Sequence, residues 1–457
     1  MSFPDRPPAS GHARPWSLPE APLRQLPGGP AIQTVRMGAQ PLFLAAWTWP
    51  AARLQEPPAP RGALRLLTAL LRHGTDRHSS EQIAHILDDR GARLGVSAST
   101  DSITVSVAGL SEHLPALLDL LDEVALQPAF AESHLERERS AALDLLHNEQ
   151  SDPDHLANLW LCALVYGGHP YGQPSASAEG LAATTQADLR ALHARITAPA
   201  RGHLLVVGDI EAEPLLDQLC ARHADRVGGG PLLALPGLPQ PRPRRVVGVT
   251  RPGSEQTTIA RGQLAIPRAH PDLHALRLAN HALGGSSSGR LFTRLREELG
   301  LTYGVSSSVD AGLVGGDFSL SFTTAAARTA EACQALSASL GDFSTRPPAG
   351  EELERARRSM IGGYVHGTVG VAAVAGLLAR GRVLGIDRAD LAERPARIAA
   401  LDDEAVQQAA ARWITPADQS LVLVGVAEAL DAALADEPDA LRVDAEDTAY
   451  HRGDFIP

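Results

Sequence analysis

The sequence predicts an α+β fold built twice: two homologous halves, each an antiparallel-rich sheet layered with helices. Three observations predict it. Segments of the first part of the chain recur in the same order in the second. "LGVSAS" from Leu94 is matched by "YGVSSS" from Tyr303, "LERERS" from Leu135 by "LERARRS" from Leu353, and "ARITAPARGHLLVVGDI" from Ala194 by "ARWITPADQSLVLVGVA" from Ala411, at offsets of roughly 210 to 218 residues. That period is far too long for a solenoid and marks a duplication. Second, strand patterns precede helix patterns in each half, which points to layers rather than alternating βα units. Third, "VGGGPLLALPGLPQPRPRR" (227–245) combines flexible glycine with stiff proline and divides the chain into parts of similar size.

The elements follow in order. Residues 1–28 are rich in proline, which locks φ and removes backbone donors, and read as an extended arm. The first domain then spans 29–226. "ITVSVAGL" (103–110) alternates in polarity like a half-buried strand, "HLPALLDLLDEVAL" follows with helical spacing, and "HLLVVGDI" is a short buried strand. Beyond the linker, the second domain spans 246–430. "FSLSFTT" (318–324) is its alternating strand, "TAEACQALSASLGDF" its following helix and "SLVLVGVA" its buried strand. Residues 431–457 are left as a tail.

Composition bounds the function. At ~100–200 residues per domain, 457 residues make two to four domains. A formal net charge of -12, with no basic block or interleaved aromatic patch, argues against nucleic-acid binding. Cys162, Cys220 and Cys333 are far apart and contain no CxxC, so neither a disulfide framework nor a thiolate zinc site is implied. The N-terminus has no apolar core segment of the signal-peptide kind. No run of ~18 apolar residues suggests a membrane span. The expected location is the cytoplasm.

The chemistry centres on "GALRLLTALLRHGT" (62–75). Arg65, Thr68 and Ala69 fall at i, i+3 and i+4, on one helical face. This helix resembles the metal helix of the pitrilysin/insulinase family of zinc peptidases, whose inverted motif reads HxxEH. Three further segments are similar to family segments in the same order: "YGGHPYGQP" (166–174), "PGSEQTTIARG" (252–262) and "LGGSSSGRLFTRLREELGLTYGV" (283–305). The resemblance runs from about residue 30 to 430. It implies duplicated peptidase-like domains forming half of a clamshell around a peptide chamber.

The chain departs from the family at the metal. Arg65 stands in the place of the first histidine and has no lone pair to give. Thr68 replaces the glutamate and is no general base near pH 7. Ala69 replaces the second histidine and has no donor atom. In "AALDLLHNEQSDP" the third ligand's place falls on Leu145, with Asp144 beside it; a one-residue shift would restore one carboxylate. One carboxylate does not hold zinc, which takes three or four protein ligands. A different constellation lies in "HSSEQIAH", where His78, Glu81 and His85 share a helical face. A relocated metal there is one reading; the preferred one is a helix start, with Ser79 or Ser80 as cap and Glu81 favouring the positive end of the helix.

His169, Tyr171 and Gly172 of "HPYG" read as a His-Pro turn that shapes the fold. "GGSSSG" (284–289) lacks the GK[ST] ending of a phosphate loop and reads as a mobile loop ahead of a helix. Arg296 and Tyr303 lie in "LREELGLTYGV" across a helix end marked by Gly300. Read from the residues alone, they are a surface arginine paired with Glu297 or Glu298 and a core tyrosine. The resemblance implies instead that both reach into the chamber and bind substrate near a zinc ion. Its implication for the whole chain is a subunit without metal or cofactor of its own, paired with a paralogous zinc-bearing peptidase subunit and acting on a peptide. A peptidase-derived scaffold with no role in proteolysis is the alternative.

Overall fold

Some strands alternate apolar and polar residues and others are unbroken apolar runs, and they assemble into two six-stranded sheets of one design. The computed structural model describes residues 16–452 except 39, 58–59, 174, 229–234 and 448. In the first half, β1 (Leu23–Gln25), β2 (Ala31–Arg36), β3 (Leu42–Pro50), β4 (Arg93–Ala98), β5 (Ser102–Leu110) and β6 (His203–Gly208) lie in the order β1-β2-β6-β3-β5-β4. In the second, β7 (Val246–Thr250), β8 (Gln256–Leu264), β9 (Val305–Ala311), β10 (Gly316–Ala325), β11 (Ser420–Gly425) and β12 (Leu441–Asp444) lie in the order β12-β7-β11-β8-β10-β9. With β1 and β12 set aside, the two orders coincide. In each, the first strand runs parallel to the last and the other neighbours are antiparallel.

The helices repeat as well. The first half carries α1 (Ala63–Leu70), α2 (Ser80–Asp88), α3 (Leu114–Leu126), α4 (Glu132–Ser151), α5 (Pro153–Tyr166), α6 (Ala178–Ala183), α7 (Gln186–Ile196) and α8 (Ala212–Arg222). The second carries α9 (Leu273–Leu283), α10 (Thr329–Thr345), α11 (Gly350–His366), α12 (Val371–Val383), α13 (Arg388–Ala399), α14 (Asp403–Trp413) and α15 (Ala427–Ala433). A pair of arginines, Arg139 partly buried and Arg357 buried, verifies the register of the duplication. Arg139 of α4 donates to the carbonyls of Ala182 (2.8 Å) and Thr184 (3.0 Å) at the end of α6, and to Glu136. Arg357 of α11, 218 residues on, donates to the carbonyl of Ile398 (2.7 Å) near the end of α13, and to Glu354. Each offers a fixed cation to the negative end of a helix.

Each half lends a helix to the other. Helix α5 packs across β8 and β11 of the second sheet, and α12 across β3 and β6 of the first. Leu156, Leu159, Trp160 and Ala163 of α5 form one core with Val247, Val249, Val422 and Val424. Val374, Ala375 and Leu378 of α12 form another with Val35, Leu205 and Val207. These exchanged helices explain why β6 and β11 are buried along their whole length and read as unbroken apolar runs. The edge strand β9, uncovered on one face, alternates buried and exposed residues instead.

Both ends of the chain depart from the boundaries drawn on the sequence. Residues 441–444, assigned to a tail, pair with β7 as strand β12, and Tyr450 packs edge-on to Trp160. The second domain therefore extends past 430, because the open edge of its sheet and the indole of α5 offer the returning chain both hydrogen bonds and apolar contact. Of the proline-rich arm, residues 1–15 lie outside the described residues. Residues 16–28 are packed: Leu18 is buried with α12, and β1 extends the first sheet. Within the 227–245 linker, 229–234 lie outside the described residues, and the rest holds no helix or strand. The cysteines are free thiols. No single helix among the described residues is long and apolar enough to cross a membrane.

His203, at the start of β6, has a pH consequence. Its ring is buried, with Nε2 3.1 Å from Gln33 Oε1, and burial, helped by the charge of Arg382, lowers its pKa to about 3. The unfolded chain binds this proton near pH 6.5 and the folded chain does not, so the stability it contributes is complete above pH 6.5 and lost as pH falls. Between pH 7 and 5 the loss is expected to be about 2 kcal/mol from this group. Denaturant titrations of the protein and of His203→Gln at both pH values check it. Equal losses in the two proteins would show that His203 is not the proton acceptor.

Candidate functional site

Helix α1 keeps its frame and opens one face. Leu64, Leu66, Leu67 and Leu70 are buried against the core, leaving Arg65, Thr68 and Ala69 on the partly open side. No side chain of its own caps the helix; the buried carboxylate of Glu56 accepts from the N–H groups of Gly62 (2.9 Å) and Leu64 (3.1 Å) instead. That anion also complements the positive end of the helix.

An ion pair occupies the open face. Arg65 meets Glu149 of α4 through two parallel hydrogen bonds, Nη1 to Oε2 at 2.9 Å and Nη2 to Oε1 at 3.0 Å. This fork-to-fork geometry is the one guanidinium and carboxylate favour. His155 Nε2 lies 4.0 Å from the same carboxylate. Thr68 turns its hydroxyl back to the Leu64 carbonyl at 2.7 Å, a bond within the helix that leaves no base facing outward. Leu145 is half exposed (50%), one turn before Glu149 on α4. Sequence reasoning missed Glu149. The i, i+4 spacing from Leu145 was the available signal, since it places both residues on one face of α4.

His78, Glu81 and His85 are not brought together as a site. Ser79 caps α2 in a capping box with Gln82, and His78 precedes the helix, its Nδ1 2.8 Å from Glu123 Oε2. No group of three or more His, Cys, Asp or Glu side chains among the described residues could hold a metal. Beside α1 runs β4, which pairs with β5 on one side only and stands at the end of its sheet. Its other edge presents backbone donors and acceptors, the kind of template on which an extended peptide adds as a strand.

The second group of residues is built by an uncommon turn. Phe292–Glu298 is a π-helix, whose wider turn brings residues four apart close to eclipse. The Arg296 guanidinium lies 4.7 Å from the Phe292 ring centre and 4.6 Å from that of Tyr303. Tyr303 reaches this position because Gly300 ends the helix at φ 57, where a side chain would be strained. Tyr303 is 87% exposed, so it is no core tyrosine. Glu298 pairs with Arg294 rather than Arg296. Among the described residues neither the Arg296 guanidinium nor the Tyr303 hydroxyl has a hydrogen-bond partner, and no bond joins this pair to Arg65 and Glu149.

The remaining sequence motifs are structural. His169 caps the short turn Pro170–Gly172, and Tyr171 bonds Asp101 of the β4–β5 turn. Residues 284–289, expected to be a mobile loop, are tied down: Gly285 N–H donates to Asn280 O (2.9 Å), and Asn280 and Ser307 bond each other inside the core.

Residues 52–179 match the profile of the insulinase family (peptidase family M16), and 183–360 that of the peptidase M16 inactive domain. An uncharacterised zinc protease of Mycobacterium tuberculosis is 30% identical over 293 residues, which are 62% of this chain and 66% of the relative, just under two thirds of its length. A non-peptidase homolog of Helicobacter pylori is 23% identical over 256 residues, 53% of this chain and 56% of that protein. Among solved structures, a peptidase M16 inactive domain from Pseudomonas fluorescens superposes with a TM-score of 0.83 at 26% identity, covering 89% of this chain and 98% of that one. A protease from Helicobacter pylori gives 0.80 at 18% identity, covering 89% and 100%.

Proposed function

This chain belongs to the insulinase (M16) peptidase family, and from that premise we propose that it is a non-catalytic subunit of a two-chain zinc peptidase. The observation that carries the reading is the ion pair of Arg65 with Glu149. The open face of α1 is occupied by a cation that is part of the chain, held by a carboxylate in the geometry such a pair prefers. Thr68 and Ala69 supply neither general base nor ligand. The chain therefore contributes walls and contacts, and a paralogous partner contributes zinc and the base that activates water. Two features support peptide as the substrate. The free edge of β4 offers main-chain pairing to an extended segment. Arg296 and Tyr303 offer donors with no partner of their own, suited to a peptide carbonyl or a developing oxyanion. We place the assembled pair in the cytoplasm.

Reconstitution tests the proposal. The chain should bind a paralogue with an intact HxxEH, and the mixture should cleave a quenched fluorescent peptide that neither chain cleaves alone. A partner equally active by itself would sink the reading and leave a scaffold role.

A further inference from the structure

Arg277 is the duplicate of Arg65. "ALRLLTALL" from Ala63 and "ALRLANHAL" from Ala275 align without a gap at an offset of 212 residues, on α1 and α9. In the first half the cation is neutralised by Glu149. The offset of 218 that Arg139 and Arg357 verify places Gly367 opposite Glu149, at the end of α11. The second half thus keeps the arginine and lacks the carboxylate.

More cations surround it. Arg268 comes from the β8–α9 connection, Arg380 from α12 and Arg394 from α13, and each of the three opposes another charge of the group. Among the described residues, the side chains of Arg268, Arg277 and Arg380 make no hydrogen bond or ion pair. Arg394 stacks over Tyr364 at 4.7 Å, and its Nε is buried without a partner, as is Nδ1 of His274 on α9. The nearby carboxylates compensate only at a distance, without an ion pair to any of the four. Asp390 acts on Arg268 and Arg394 but is held by Arg397 at 2.5 Å, Asp310 acts on Arg277, and Asp101 acts on Arg380 while it accepts from Tyr171. Burial, then the neighbouring arginines, pushes Arg268 and Arg277 down to about 10 and His274 down to about 4. Like charges gathered without a bonded counter-charge repel one another, and an anion that arrives among them relieves that repulsion.

The surroundings suit a peptide. Arg380 also lines a cavity of about 260 Å3 with Ser99 and Thr100, the residues that follow β4 directly; Asp101, Asp310 and Asp317 line it too, so an incoming carboxylate would be held on the arginine side of its mouth. A segment lying along the free edge of β4 would leave that strand at the mouth of this cavity. We infer that Arg268, Arg277, Arg380 and Arg394 form a binding site for a carboxylate of the peptide substrate, either its C-terminus or an acidic side chain. Guanidinium forks grip carboxylates in two-point fashion, which is why this residue type fits the task. The inference rests on the peptide-binding reading above and adds a charge preference to it.

Fluorescence anisotropy on the full chain tests it with three labelled peptides of one length: one acidic with an amidated C-terminus, one neutral with a free C-terminus, one neutral and amidated. A carboxylate-bearing peptide should bind ~10–100-fold more tightly than the neutral amide, a difference of the size charge-assisted bonds supply. Which of the two does so identifies the source of the carboxylate. Arg277→Gln with Arg394→Gln should abolish the preference while leaving neutral binding in place. Arg277→Lys should retain part of it. Thermal stability of Arg277→Gln should hold or rise, because repulsion is relieved; a fall together with loss of neutral binding would make Arg277 structural and overturn the site. Equal binding of all three peptides would overturn the site and leave the peptide reading intact. No binding of any peptide, with inorganic phosphate protecting the parent but not the variant from heat, would overturn both.

Discussion

Tyr303→Phe and Arg296→Lys are each expected to lower peptide turnover by the assembled pair by about 10–1,000-fold, the range for losing one donor aimed at a developing oxyanion. Tyr303→Phe removes a single hydroxyl from a ring that is 87% exposed, so folding and assembly should be unaffected. The stack on Arg296, 4.6 Å from the ring centre, needs only the ring. Arg296→Lys keeps the charge and loses the planar fork. It also weakens the sandwich between Phe292 and Tyr303, so its effect should equal or exceed that of Tyr303→Phe. Pull-down of the partner should not change. Full proteolysis by both variant pairs would remove these side chains from the reaction.

The metal experiment has the second largest expected effect. The parent chain, dialysed at neutral pH, should carry no stoichiometric zinc in elemental analysis. About one tightly held zinc per chain, lost on His78→Ala with His85→Ala, would reinstate the other constellation. Arg65→His, Thr68→Glu and Ala69→His together restore the motif, yet the metal remains short of a third protein ligand. Adding Leu145→Glu, a direct ligand, should raise zinc retention by at least the ~10–100-fold that an outer-shell partner is worth. The structure adds a competitor. Arg65→His releases Glu149, whose carboxylate already faces α1. Glu149→Gln in the triple variant separates the two cases. If the triple variant holds zinc tightly and Glu149→Gln removes it, the third place belongs to Glu149 and the assignment of Leu145 falls.

Much of the fold was legible because the duplication is written in contiguous segments. "LERERS" and "LERARRS" place α4 and α11, and the apolar runs "HLLVVGDI" and "SLVLVGVA" place β6 and β11. Alternation in "ITVSVAGL" and "FSLSFTT" places β5 and β10, whose burial alternates accordingly. The boundary at 430 was not legible. Strand β12 is short, largely exposed and held by a parallel pairing to β7, some 190 residues earlier, so its own sequence carries no sign of it.

The candidate site divides along the same line. The identities of Arg65, Thr68 and Ala69 are a property of the sequence, and so is their common helical face, because a period of 3.6 residues needs no tertiary information. What meets that face was decided only by packing. Glu149 is 84 residues from Arg65; its i, i+4 spacing from Leu145 marks a shared face of α4 but does not say which side chain that face meets. The stack of Arg296 between Phe292 and Tyr303 required a π-helical turn and a left-handed glycine, and the unpaired arginines around Arg277 required helices from three separate stretches of chain. Short-range geometry repeats at fixed spacing and can be read from one dimension. Charge compensation depends on which distant side chain arrives, and the folded chain alone determines that.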